Sequence, residues 1–147
     1  MKIVIDTNVI VDGIKDDYSY EKQILDAVIS GEIEAYANHG TISENKLIMK
    51  QLITDPNYQQ EINNLFAQIN MVRNRRQINI VRDPEDNKIL ESAVESKADY
   101  LVTRDNDLLS LDSFQGIKIV TPAEFWNTYK DTGSDLWKQW AGFFSGK

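Results

Sequence analysis

The sequence predicts an α/β sandwich, three layers deep, around a mostly parallel sheet. Two observations carry that reading: short β-branched runs alternate along the chain with stretches of helical apolar spacing, and 147 residues, 41% of them hydrophobic, suffice for one core. Neither an internal repeat nor a linker to a second core interrupts the pattern.

In chain order, Lys2 to Ile5 is a β-branched run that stops at Asp6-Thr7-Asn8, a buried strand ending in turn-forming polar residues. Tyr18 to Ser30 follows as a helix through Ile24, Leu25, Val28 and Ile29, with Gly31 where its cap belongs. Ile33 to Ala37 is a weaker second strand. Thr41 to Leu52 repeats apolar residues at Ile42, Leu47, Ile48 and Leu52, and after the turn Asp55-Pro56-Asn57 a helix is expected over Tyr58 to Val72. Ile78 to Val81 is the expected third strand. Asp83-Pro84-Glu85-Asp86 is a strong helix start, with an Asp cap, Pro at the first helical position and acids in the first turn. Tyr100 to Thr103 and Ile117 to Val120 are the fourth and fifth strands, and Thr121-Pro122 opens a helix with Phe125, Trp126 and Tyr129. The main domain therefore covers 1–130, and 131–147 is an aromatic-rich extension.

Composition narrows the chemistry. There is no cysteine, which excludes disulfide scaffolds, thiolate metal sites and thiol nucleophiles. The single histidine, His39, makes a Ser-His-Asp triad or a histidine-rich zinc site a poor fit. No window is apolar enough to cross a membrane and no signal-peptide core follows Met1, so a cytoplasmic chain is expected. Sixteen basic against 23 acidic residues leave a net charge of −7. That argues against holding nucleic acid by net charge alone, but not against a nuclease, because cations bound at an acidic cluster invert the local field.

The acids are placed informatively. Asp6 and Asp105 follow the first and fourth strands, and with a strand order 3-2-1-4-5 they share the crevice at the switch point. Glu44 lies three and four residues before Leu47 and Ile48 and so is expected on the buried face of its helix, and Asp86 stands in the same relation to Ile89, Leu90 and Ala93. Four converging carboxylates would repel unless cations lay between them, and oxygen donors without sulfur select Mg²⁺ or Mn²⁺. Each acid also has a plainer reading: a turn for Asp6, a half-exposed helix acid for Glu44, a capping box for Asp86, a helix cap for Asp105. Asp107, Asp83 and Glu85 fit caps or solvated turns at least as well as a site.

The motifs Ile3-Val4-Ile5-Asp6-Thr7-Asn8, Thr41-Ile42-Ser43-Glu44, Asp83-Pro84-Glu85-Asp86-Asn87 and Ala98 to Leu109 (ADYLVTRDNDLL) stand in one order and spacing. In that set the chain resembles PIN-domain proteins, and in particular the ribonuclease toxins of VapC-type toxin–antitoxin pairs. The resemblance implies a five-stranded parallel sheet flanked by helices and an acidic pocket for one or two Mg²⁺ or Mn²⁺ ions. It places Asp6, Glu44, Asp86 and Asp105 at the four acidic positions, Thr103 and Asn8 at supporting polar positions, and Asp107 at a frequent additional acid. It further implies endonucleolytic hydrolysis of RNA, an antitoxin partner and a homodimer. Asn38 departs from the serine common before the Thr41 to Glu44 helix, which could alter that helix's cap.

Arg73, Arg75, Arg76 and Arg82 form a local basic run, and Arg104 adjoins Asp105; RNA contact and local salt bridges are equally compatible with them. In the extension, Leu136, Trp137, Trp140, Phe143 and Phe144 make an apolar stripe suited to packing on the domain, to a dimer face or to a partner segment. Two other enzyme-like folds fit less well. A haloacid-dehalogenase-type phosphohydrolase needs an acid where Asn8 stands, and a receiver domain needs a lysine after its fifth strand, where Thr121-Pro122 stands. A catalytically silent binding module is not favoured, since all four matching acids are present.

Overall fold

A computed structural model describes residues 1–131. The elements are β1 (Lys2–Ile5), α1 (Thr7–Lys15), α2 (Tyr20–Ile29), β2 (Glu34–Asn38), α3 (His39–Leu52), α4 (Pro56–Gln68), β3 (Asn70–Val72), α5 (Pro84–Ser96), β4 (Tyr100–Val102), α6 (Asn106–Leu109), β5 (Ser113–Phe114) and β6 (Ile117–Val120). A further helix, α7, covers 122–131. From residue 132 on, the aromatic extension lies outside the described residues.

The sheet order is β3-β2-β1-β4-β6-β5. β1 is central because it can afford no polar face: Val4 pairs in parallel with Tyr36 of β2 and Leu101 of β4, and Ile3, Val4 and Ile5 are all buried. β6 continues the parallel set beside β4, so the expected 3-2-1-4-5 order holds for the five parallel strands. The sixth, β5, is a two-residue antiparallel edge that folds back on β6 through Gln115 and Gly116, both at positive φ.

Alternation along the strands fills two cores. Ile3, Ile5 and Val102 meet the helices α1–α4 and Phe125 of α7; Val4, Leu101 and Ile119 meet Leu90 and Ala93 of α5 and Leu108 of α6. On the first side α1 and α2 touch closely at Gly13, where a Cβ would lie 2.7 Å from Leu25 Cδ1 and 3.0 Å from the Glu21 carbonyl carbon. Buried Lys22 of α2 joins Glu61 of α4 in an ion pair.

Four local expectations are corrected. The chain does not simply turn after β1; it enters α1 at once, with Asp6 as the cap. The helix expected through Val72 ends at Gln68, because Ile69 takes extended angles to bury its side chain, and β3 follows at Asn70–Val72. Ile78 to Val81 is therefore no strand. Its backbone N–H groups find side chains instead: Ile78 donates to Glu91 (2.8 Å), and Ile80 and Val81 donate to Asn87 Oδ1 (3.0 Å each). Finally, α3 buries Ile42 and Met49, while Leu47, Ile48 and Leu52 are 60%, 50% and 66% exposed.

Candidate active site

The carboxyl ends of β1 and β4 are adjacent, and each strand turns there into a helix capped by its own aspartate. Asp6 Oδ1 accepts from the Asn8 amide at the start of α1 (3.2 Å), and Asp105 Oδ1 accepts from the amides of Asp107 (2.8 Å) and Leu108 (3.3 Å) at the start of α6. The capping reading of Asp105 is thus correct, and Asp6, expected in a turn, is a cap as well; neither role exhausts its acid, since each cap engages one of two oxygens. The second Asp6 oxygen accepts from the Thr103 hydroxyl (2.8 Å), and Thr103 Oγ1 in turn accepts from the Asp105 amide (3.0 Å). Thr103 is fully buried and Asp6 nearly so. One hydroxyl therefore fixes the spacing of the two strand-end acids.

Asp86 reaches the same place from the third position of α5. The cap of that helix is Asp83, which accepts from the Glu85 amide (2.9 Å). The Asp86 carboxyl meets Asp105 instead, in a side-chain hydrogen bond. Burial, and then the negative charges of Asp105, Asp83 and Asp6, push the Asp86 carboxyl up to about 6. Three acids are thus gathered, with one of them poised to share a proton.

Glu44 stands apart. It lies on the exposed side of α3, near enough to Lys88 to help hold that ammonium charged, behind the larger effect of Glu85. The expectation of a buried face is wrong because the inward stripe of α3 runs through Ile42, Asn45 and Met49. Asn45 makes the link to the site, donating from Nδ2 to Thr7 Oγ1 at 2.6 Å. Asn38 caps α3, its Oδ1 accepting from Gly40 (2.8 Å) and Thr41 (3.3 Å). The helix accordingly starts at His39, which is exposed, earlier than expected. The Asn8 and Asp107 side chains are exposed, their amides serving the caps just described.

Arg104 turns away from the cluster to pair with Asp12 of α1 and with Glu21 of α2 (3.3 Å). Arg73, Arg75, Arg76 and Arg82 are exposed on the segment between β3 and α5. That segment is held by residues whose roles were not read from sequence. Buried Glu91 accepts from the amide of Ile78 and from Asn74 Nδ2 (3.2 Å), Asn87 Nδ2 donates to the Val81 carbonyl (2.9 Å), and Glu95 accepts from the Arg75 amide (3.1 Å). Asn87 and Glu91 lie on one face of α5 at i and i+4, as Leu90 and Ala93 do at i and i+3, so the signal was present.

The donor set suits a hard divalent cation: all oxygen, net negative, and, among the described residues, without an ion pair to a basic side chain. Among the described residues no group of three or more acidic or histidine side chains is already drawn close enough to form a ligand set.

Residues 2–107 match the family described as PIN domain. The chain is also similar to an uncharacterized protein of Methanocaldococcus jannaschii, 29% identical over 139 residues that cover 85% of this chain and 89% of that protein. No solved structure matches significantly. With the family match spanning β1 to β4, the capping aspartates and α5, the chain belongs to the PIN-domain family and carries its nuclease-type fold.

Proposed function

We propose that the chain is a Mg²⁺- or Mn²⁺-dependent endoribonuclease, with Asp6, Asp86 and Asp105 as the acidic centre. The observation that carries this reading is the placement of Asp6 and Asp105 on one hydroxyl at the ends of β1 and β4 with Asp86 brought to them by α5, where burial first, and then the charges of Asp105, Asp83 and Asp6, push the Asp86 carboxyl up to about 6. Structural ion networks seldom gather like charges without a partner, whereas sites that handle metal or protons do. A divalent ion bound there would supply a low-pKa water and charge stabilisation at the phosphodiester. The residues' own contributions are separable. Asp6 is held in one rotamer by the Asn8 amide and Thr103, so its free electron density is aimed rather than averaged. Asp86 is the group placed to take or give a proton near neutral pH. The role of a toxin paired with an antitoxin, and a homodimeric state, rest on the sequence resemblance alone.

Cleavage of a mixed RNA pool by purified protein with Mg²⁺, with Mn²⁺ and with EDTA tests the reading, an identically prepared Asp6→Asn protein controlling for contaminants. Metal-dependent cleavage that disappears in the variant is expected. Folded protein that takes up Mn²⁺ in a calorimetric titration yet cleaves no RNA would remove the ribonuclease; no Mn²⁺ uptake would remove the metal centre itself.

A further inference from the structure

A concavity about 360 Å³ in volume lies between the amino end of α3 and the segment leading into α5. Arg75, Arg76 and Gln77 line one wall, Glu44 stands on the other, and Lys88 and Glu91 of α5 close the floor. Three observations set it apart from a solvated basic loop. First, the arginines are offered by a segment that is built rather than loose: the carboxylates of Glu91 and Glu95 and the amides of Asn74 and Asn87 tie it to α5. Second, in a chain with 23 acids against 16 bases, neither Arg75 nor Arg76 has an ion pair among the described residues, whereas Arg104 has two. Third, the Glu91 oxygens accept from Asn74 and the Ile78 amide and form no ion pair with the arginines among the described residues. The hollow and the acidic centre share one helix, α5, which gives Lys88 and Glu91 to the first and Asp86 to the second.

We propose that this pocket is a subsite for single-stranded RNA, in which Arg75 and Arg76 seat the phosphodiester of a nucleotide flanking the one presented to the acidic centre; the assignment rests on the ribonuclease reading. Guanidinium forks bind phosphate oxygens in pairs, which a carboxylate-bound lysine such as Lys88 cannot match. The volume suits one nucleotide at the lower end of small-ligand pockets. A nucleotide enters such a hollow only if it is splayed from its neighbours, which an intact duplex does not allow. Glu44 and Gln77 then face its base and sugar, where a carboxylate accepts from a 2′-hydroxyl or an exocyclic amine.

The test is fluorescence anisotropy with a short labelled single-stranded RNA and Mg²⁺, in the Asp6→Asn background so that the RNA stays intact. Arg75→Ala with Arg76→Ala is expected to weaken binding on the order of tenfold and to reduce the salt slope by roughly 1.4, the value for two lost phosphate contacts on a single strand. Arg73→Ala with Arg82→Ala removes the same charge outside the pocket and is expected to cost clearly less; an equal loss from both pairs would overturn the subsite in favour of diffuse attraction. The same RNA annealed to its complement is expected to bind without dependence on Arg75 and Arg76, and equal dependence would refute the single-strand assignment. Unchanged RNA binding in the Arg75 and Arg76 variant, alongside metal-dependent cleavage by the unaltered protein, would sink the subsite and leave the nuclease standing. Binding that depends on both arginines without any cleavage would do the reverse.

Discussion

Helices α5 and α3 each carry an acid amid apolar residues, Asp86 and Glu44, and the fold treats them oppositely. α5 lies over β1, β2 and β4, so Leu90, Ala93 and Asp86 are buried together and the acid is delivered to the strand ends. α3 packs through Ile42 and Met49 and turns Leu47, Ile48 and Glu44 outward. The comparison teaches that an apolar residue three or four positions from an acid marks a shared face, but not which way that face points. The direction is settled by the whole stripe. On α5 the cap, the Pro at the first position and the apolar stripe agree; on α3 two stripes compete and the one with fewer large side chains wins.

The largest effect expected from this difference is catalytic. Asp86→Asn should lower metal-dependent RNA cleavage on the order of 10³-fold, comparable to removing a group that stabilises developing charge. Glu44→Gln should stay within about tenfold, the smaller end for an outlying polar group. Initial rates at saturating metal decide it, and equal losses would mean that α3 swings Glu44 into the centre when substrate binds.

Packing gives the next contrast. Leu90 is fully buried, so Leu90→Ala should cost roughly 3 kcal/mol. Leu47 is 60% exposed, and Leu47→Ala should change stability by no more than about 0.5 kcal/mol. Urea unfolding measures both. A large loss at Leu47 in a dilute sample would show that another surface covers α3.

The same contrast explains what was legible in the sequence. The acidic strand ends and the α5 start could be read because each rests on short-range signals that agree: a β-branched run then an aspartate, or Asp-Pro then acids; the order of the parallel strands was an assumption, since spacing along the chain does not fix which strands pair. α1 was missed because Asp6-Thr7-Asn8 reads equally as a turn and as a helix cap, and one Asp does both. β3 was misplaced because Ile78 to Val81 has strand composition, while its hydrogen-bond partners, Asn87 and Glu91, belong to a helix far from any sheet pattern. Arg104 beside Asp105 is equally compatible with a phosphate and with a nearby acid, and only the tertiary fold, which brings Asp12 and Glu21 to it, separates the two.

Acidity offers a sharper probe of the α5 end. Asp86 is raised from 3.8 to about 6 by burial and then by Asp105, Asp83 and Asp6, so the native state holds a proton there that the unfolded chain releases near pH 4. Its contribution to stability is fully present below about pH 4 and is lost as pH rises through about 6. Asp86→Asn keeps the shape and removes the charge. At pH 7 the variant should therefore exceed the original protein by up to about 3 kcal/mol, two pKa units' worth, and the gap should close by about pH 4. Denaturant midpoints across that window test it; a gap independent of pH would mean that repulsion in the cluster is relieved another way.

The smallest effects separate the caps. Asn38 takes two amides of α3 and carries no charge, so Asn38→Ala should cost about 1 kcal/mol at any pH between 5 and 8. Asp83 caps α5 but also adds to the negative charge on Asp86, two opposed consequences of one carboxylate. Asp83→Asn preserves the capping oxygen and removes the repulsion, so at pH 7 it should fall within about 0.5 kcal/mol of the original or slightly above it. It should also bring the Asp86 titration below 6, readable as a shift in that group's carboxyl carbon resonance. A loss near 1 kcal/mol with Asp86 unmoved would show that the Asp83 charge serves the α5 dipole more than it burdens the site, and that burial and the strand-end aspartates raise Asp86 without it.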